Sequence, residues 1–166
     1  MSNYFSNNQI DLLAKAKSEK KYIHLKNENE NLKRGMNVKS LNKLISMHNC
    51  WDNTNFFLVL NKNKIPFSTF LTTGDALGFS KVAPDPAKVE NFIRKGASLV
   101  LNDLVYLSKQ IEGLASDLQI ITNGRCQANL YFSMQSHQAF APHFDTHDVF
   151  ALHCEGEKIW NIYDNF

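Results

Sequence analysis

Apolar positions in this chain fall at helical spacing in several stretches, broken by short β-type runs, and turn to strict alternation after Asn123-Gly124. Ile10, Leu13, Ala14 and Lys17 share one stripe, which predicts a helix from about Asn8 to Lys20 with Ser6, Asn7 or Asn8 as its cap. The polar run from Lys26 to Lys33 reads as a loop, and Ser40 is placed to cap a second helix carrying Leu41, Leu44, Ile45 and His48 at helical spacing. Phe56-Phe-Leu-Val-Leu60 is a β-type run. It is followed by a turn over Asn61 to Lys64 and a second run around Phe67 to Leu71, together a hairpin or two edge segments. Thr73-Gly-Asp-Ala-Leu-Gly78 lacks the Gly-Lys-Ser/Thr ending of a phosphate loop and reads as a turn.

Asp85-Pro86 marks a helix start, a capping side chain followed by proline at the first helical position. Val89, Phe92 and Ile93 form its inner stripe, and Gly96 ends it. Ala97 to Leu101 predicts a strand. Leu104 to Leu118 predicts a helix through Leu107, Ile111, Leu114 and Leu118, although Gly113 weakens it. After the Asn123-Gly124 turn, Cys126, Ala128, Leu130 and Phe132 alternate with Arg125, Gln127, Asn129 and Tyr131. Such a strand could border solvent with its polar face or line a cavity in a small barrel, and the pattern fits both.

The 166 residues and 43% hydrophobic content suit one globular domain with a real core. No apolar run reaches the length of a membrane span, and the first residues lack a secretory pattern. Cys50, Cys126 and Cys154 form neither a disulfide framework nor a zinc pair, so a reducing, cytoplasmic setting is expected. Charge is uneven: residues 1–50 hold nine Lys/Arg against four Asp/Glu (+5), and the remainder nine against twelve (−3). Acids are interspersed in that basic leader, which favours a solvated helical face over a nucleic-acid surface.

The chemistry concentrates late. Four of the six histidines, His137, His143, His147 and His153, fall in one stretch, and His143 with Asp145 makes an H-x-D pair. On a strand these two side chains face one side, roughly 6.7 Å apart at the backbone, and can lean to one metal. His147 lies roughly 13 Å from His143 on a straight strand, so a third ligand should come from a neighbouring strand. Two histidines and a carboxylate on one side of a metal make the facial triad of non-haem iron(II) oxygenases.

The segment Asn129-Leu-Tyr131, Pro142-His143-Phe-Asp145-Thr-His-Asp-Val-Phe150, Glu155-Gly156-Glu-Lys158-Ile-Trp160 and Tyr163 resembles the cupin-type JmjC ribosomal oxygenases. The resemblance extends upstream through Asp85 to Asn102 and the helix to Leu118, covering about residues 50–166. It implies an α+β fold. A basic helical leader over 1–50 would precede the N-terminal part of a JmjC domain over 51–166, a double-stranded β-helix (jelly roll) incomplete in this chain.

It also implies an iron(II)- and 2-oxoglutarate-dependent hydroxylase that acts on a protein side chain such as a ribosomal protein residue. His143 and Asp145 would be metal ligands, Lys158 and Tyr131 would hold the cosubstrate's far carboxylate, and Asn129 would face the same cavity. A cation at that carboxylate makes independent physical sense, because a buried charge needs a partner. His137, His147 and His153 stand where the family more often has other residues and are not expected to be ligands, while Trp160, Phe150 and Cys154 are expected in the core. The family's second histidine ligand comes tens of residues further on, which leads to the expectation of a fragment of a longer protein. The alternative is a non-catalytic cupin-like binding module with a partial metal site.

Overall fold

The structure, a computed structural model, describes residues 4–26, 36–47, 49–76, 79–134 and 139–163. The Asn-rich loop, His48 and His137 lie outside the described residues.

Helix α1 spans Asn7–Glu19 and begins in a capping box. The Ser6 hydroxyl accepts from the Gln9 N–H, and the Gln9 side chain accepts from the Ser6 N–H. Helix α2 spans Val38–Ile45, and its cap is Asn37, three residues before the expected Ser40, because the Asn37 side-chain oxygen accepts from both the N–H and the hydroxyl of Ser40. Leu41, Leu44 and Ile45 are buried as their spacing predicts. Helix α3, Pro86–Arg94, starts on Asp85, whose carboxylate accepts from the N–H groups of Ala87 and Lys88. Helix α4 spans Lys109–Thr122, shifted from the expected start because Leu104–Tyr106 form a separate 3-10 turn.

Six strands are described: β1 Phe56–Leu60, β2 Asn63–Lys64, β3 Leu71–Ala76, β4 Phe79–Pro84, β5 Ser98–Leu101 and β6 Leu130–Phe132. One sheet runs in the order β2-β1-β5-β6, all antiparallel, with Phe56 opposite Leu101 and Val100 opposite Tyr131. Of the second expected run, Phe67–Phe70 is instead a 3-10 turn entered through Pro66, and only Leu71 lies in a strand, as the first residue of β3. The expected turn at Thr73 is part of β3, which pairs with β4 as a two-stranded sheet. Residues 77 and 78 fall between those strands, outside the described residues.

One face of the larger sheet carries Phe56, Leu58, Leu99 and Leu101 into the main core, where α2, α3, Phe70 and Leu104 close over them. Trp51 belongs to that core, and its indole N–H donates to the Leu44 carbonyl at the end of α2. A smaller cluster forms on α4, where Leu114 and Leu118 meet Tyr4, Phe5, Ile121, Cys126, Phe150 and Leu152. The Tyr4 ring lies on Gly113, where an added Cβ would come within 3.2 Å of it. The described residues thus form a mixed helix-and-sheet fold in which Tyr4 and Phe5 lie against α4. Among the described residues no helix is long and apolar enough to cross a membrane.

Candidate metal and cosubstrate site

Helix α4 ends at Asn123 in the left-handed conformation, which turns the chain back toward the sheet. Exposure then alternates from Cys126 to Phe132, with the even-numbered residues half-buried and Gln127, Asn129 and Tyr131 exposed, as the period-two pattern predicts. The stretch is strapped to the bend at Asp103, itself left-handed. Leu104 N–H donates to Ala128 carbonyl, Asp103 N–H to the Asn129 side-chain oxygen at 3.3 Å, and the Gln127 amide to the Asp103 carboxylate at 3.4 Å. Asn129 therefore spends its oxygen on the backbone and guides β6 into register.

Tyr131 sits on the sheet face opposite the main core, beside buried Val100, with 55% of its surface exposed. Phe140 meets it edge to face at 6.1 Å between centroids, and His143 meets Phe140 in the same manner at 6.2 Å. The Lys158 ammonium lies 5.9 Å from the Tyr131 ring centroid and 4.7 Å from that of Trp160. Three of the residues singled out from the sequence, Tyr131, His143 and Lys158, thus gather around one edge strand. Phe140, which the sequence reading passed over, links two of them; an aromatic three residues before a candidate ligand was the available signal.

His143 Nδ1 lies 2.9 Å from the Ala141 carbonyl. A carbonyl can only accept, so Nδ1 is the donor in this contact, which leaves Nε2 as the ring atom for a metal, the arrangement a metal-ligating histidine needs. His153 makes the opposite choice, its Nε2 donating to the Glu155 carbonyl at 3.1 Å. Asp145 and His147 are exposed.

Residues 139–163 form no strand among the described residues, contrary to the expectation for both the H-x-D segment and Ile159 to Tyr163. Bends at Pro142 and at Thr146-His147 interrupt the first, and neither segment pairs with a described strand, so nothing holds the backbone in a pleat. Trp160 is 58% exposed rather than core, its ring lying against Lys158 instead of an apolar neighbour. Phe150 and Leu152 do pack inward, onto Leu114 and Leu118. Cys154 is half-buried, and burial, reinforced by the Glu155 charge, pushes its thiol up and away from the thiolate form.

The donor chemistry of His143 and Asp145 suits two positions of an iron(II) site. Among the described residues no group of three or more His, Cys, Asp or Glu side chains converges on one point.

Residues 105–166 match the JmjC domain family. Over 80 residues, 48% of this chain, the sequence is 34% identical to a bifunctional lysine-specific demethylase and histidyl-hydroxylase of Drosophila simulans. It is 36% identical over 78 residues to ribosomal oxygenase 1 of Gallus gallus, and 28% identical over 111 residues, 63% of the chain, to a bifunctional lysine-specific demethylase and histidyl-hydroxylase of Dictyostelium discoideum. The aligned stretch covers 9%, 13% and 22% of the Drosophila, Gallus and Dictyostelium proteins, so the chain matches only a small part of each. No solved structure matches the chain.

Proposed function

From the match of residues 105–166 to the JmjC domain family and the likeness to ribosomal oxygenases, we propose that this chain carries part of an iron(II)- and 2-oxoglutarate-dependent hydroxylase. Its substrate is a protein side chain, and a ribosomal protein is the candidate that the names of its relatives suggest. The observation that carries the reading is the gathering of Tyr131, His143 and Lys158 around β6, inside the stretch that matches the JmjC domain.

His143, through Nε2, and Asp145 hold the metal in this reading, together with a further histidine. Bound iron(II) with 2-oxoglutarate supplies the oxidising chemistry needed to hydroxylate an unactivated carbon. Lys158 provides the cation for the cosubstrate's far carboxylate, and the Tyr131 hydroxyl can donate to the same group. The rings of Tyr131 and Trp160 attract the ammonium of Lys158 through their π faces, which favours one region of space for a long, flexible side chain. Asn129, two residues before Tyr131, contributes by holding the strand at Asp103 through its side-chain oxygen.

Binding and turnover test this together. Lys158→Ala should weaken 2-oxoglutarate binding about 10- to 100-fold while leaving Mn(II) affinity unchanged, as expected for loss of one charge-assisted hydrogen bond. His143→Ala should remove Mn(II) binding, and calorimetric titration reads both. Succinate formation from 2-oxoglutarate that survived His143→Ala would sink the ligand assignment. Metal binding at His143 without any turnover in the presence of protein substrate would favour the non-catalytic binding module.

A further inference from the structure

Lys17 is the charged member of the α1 stripe, and its ammonium reaches across to two distant parts of the chain. It donates to the Thr122 carbonyl, the last of α4, at 3.3 Å and pairs with the Asp148 carboxylate at 2.9 Å. The final carbonyls of a helix lack intrahelical donors and carry the negative end of its dipole, so a cation there is doubly favoured. Two and four residues beyond Asp148, Phe150 and Leu152 enter the cluster built by α4 with Tyr4 and Phe5. Helix α4 thus supplies the apolar bed, with Tyr4 and Phe5 beside it, and Lys17 the charged tie for the segment that follows the H-x-D pair. Asp145 precedes Asp148 by three residues, so its Cα lies within about 11 Å of the Asp148 Cα. At the other end of the segment, Phe140 rests between Tyr131 and His143.

We propose that Lys17 is a positioning residue for the His143–Asp145 pair: by bridging the end of α4 to Asp148 it fixes the segment that presents both donors. The role of the pair rests on the iron reading above; the brace itself does not. Because α1 has no fully buried residue, altering Lys17 touches no core packing.

Limited chymotrypsin cleavage of the full chain decides the matter, because Phe144 is exposed within the segment while Phe56 is buried in β1. Lys17→Ala should speed cleavage at Phe144 about three- to tenfold relative to cleavage at Phe56, with Asp148→Asn giving the same increase and the double variant no more. Lys17→Arg should restore the wild-type rate. Unchanged cleavage at Phe144 in Lys17→Ala, an equal increase at Phe56, or an effect that Asp148→Asn does not reproduce would each overturn the brace. Co(II) titration provides the second arm, with Lys17→Ala weakening binding by a similar factor. Co(II) binding identical in wild type and His143→Ala would remove the iron reading and leave the cleavage result to judge Lys17 alone.

Discussion

Phe56 has no exposed surface and meets the rings of Trp51, Phe70 and Phe67 at 5.5, 5.8 and 6.4 Å between centroids. Truncating it removes a large buried side chain from a place where α2, β1 and the 3-10 turn at Phe67 meet. Phe56→Ala should therefore cost about 3–5 kcal/mol in urea unfolding. Phe57→Ala, one residue along on the opposite face and only half-buried, should cost clearly less. Equal losses at the two positions would show that the strand's faces are not differentiated as described. Tyr131 presents the other extreme of the same sheet, a large side chain left exposed where its neighbour Val100 is buried. The Phe140 ring meets that side chain edge to face at 6.1 Å between centroids, and the Lys158 ammonium lies 5.9 Å from its centroid.

At the scale of elements, α4 links the main core to the candidate site. Its interior glycine should weaken it by roughly 1 kcal/mol relative to alanine. Yet the Tyr4 ring occupies the space a methyl group would need. Gly113→Ala should consequently gain little in the wild-type chain and about 1 kcal/mol more when Tyr4→Ala is also present. A double-mutant cycle in urea checks this, and additive effects would mean that Tyr4 does not sit on Gly113 in solution. The segment 139–163 behaves differently, because it lacks paired backbone and depends on a few attachments: Phe140 at β6, Lys17 at Asp148, and Phe150 with Leu152 on α4.

For the whole molecule, pH should bound stability on both sides through different groups. Burial raises the thiols of Cys50, Cys126 and Cys154, so each holds its proton more tightly folded than unfolded. Stability is fully present below the unfolded thiol value and should be lost as pH rises past roughly 8.5–9 toward the raised folded values. Asp52 has the reverse sign. Its carboxylate accepts from the Thr54 hydroxyl and from the N–H groups of Thr54 and Asn55, which lowers its pKa. Its contribution is present above the ordinary carboxylate range and should fade as pH falls below about 4. Thermal melts from pH 3 to 10 should show Asp52→Ala flattening the acid side alone, and Cys154→Ser flattening the alkaline side alone.

Much of the fold follows from local chemistry. Asp85-Pro86 starts its helix wherever it stands, the stripe Leu41, Leu44, Ile45 finds a core, and alternation from Cys126 to Phe132 orders the strand entering the site. The H-x-D pair and the JmjC relationship of the second half were legible for the same reason, since motif and spacing are properties of the chain itself. Where sequence reasoning failed, the outcome depended on partners. A β-type pattern at Ile159 to Tyr163 becomes a strand only when another backbone pairs with it, and Trp160 is core only when something covers it. Lys17 and Asp148 are separated by 131 positions, and Phe140 reaches Tyr131 only after the chain turns back on β6. Sequence alone named the groups proposed for the chemistry. Tertiary structure decided which of them meet, because ring contacts, ion pairs and strand pairing join residues whose separation along the chain carries no record of their distance in space.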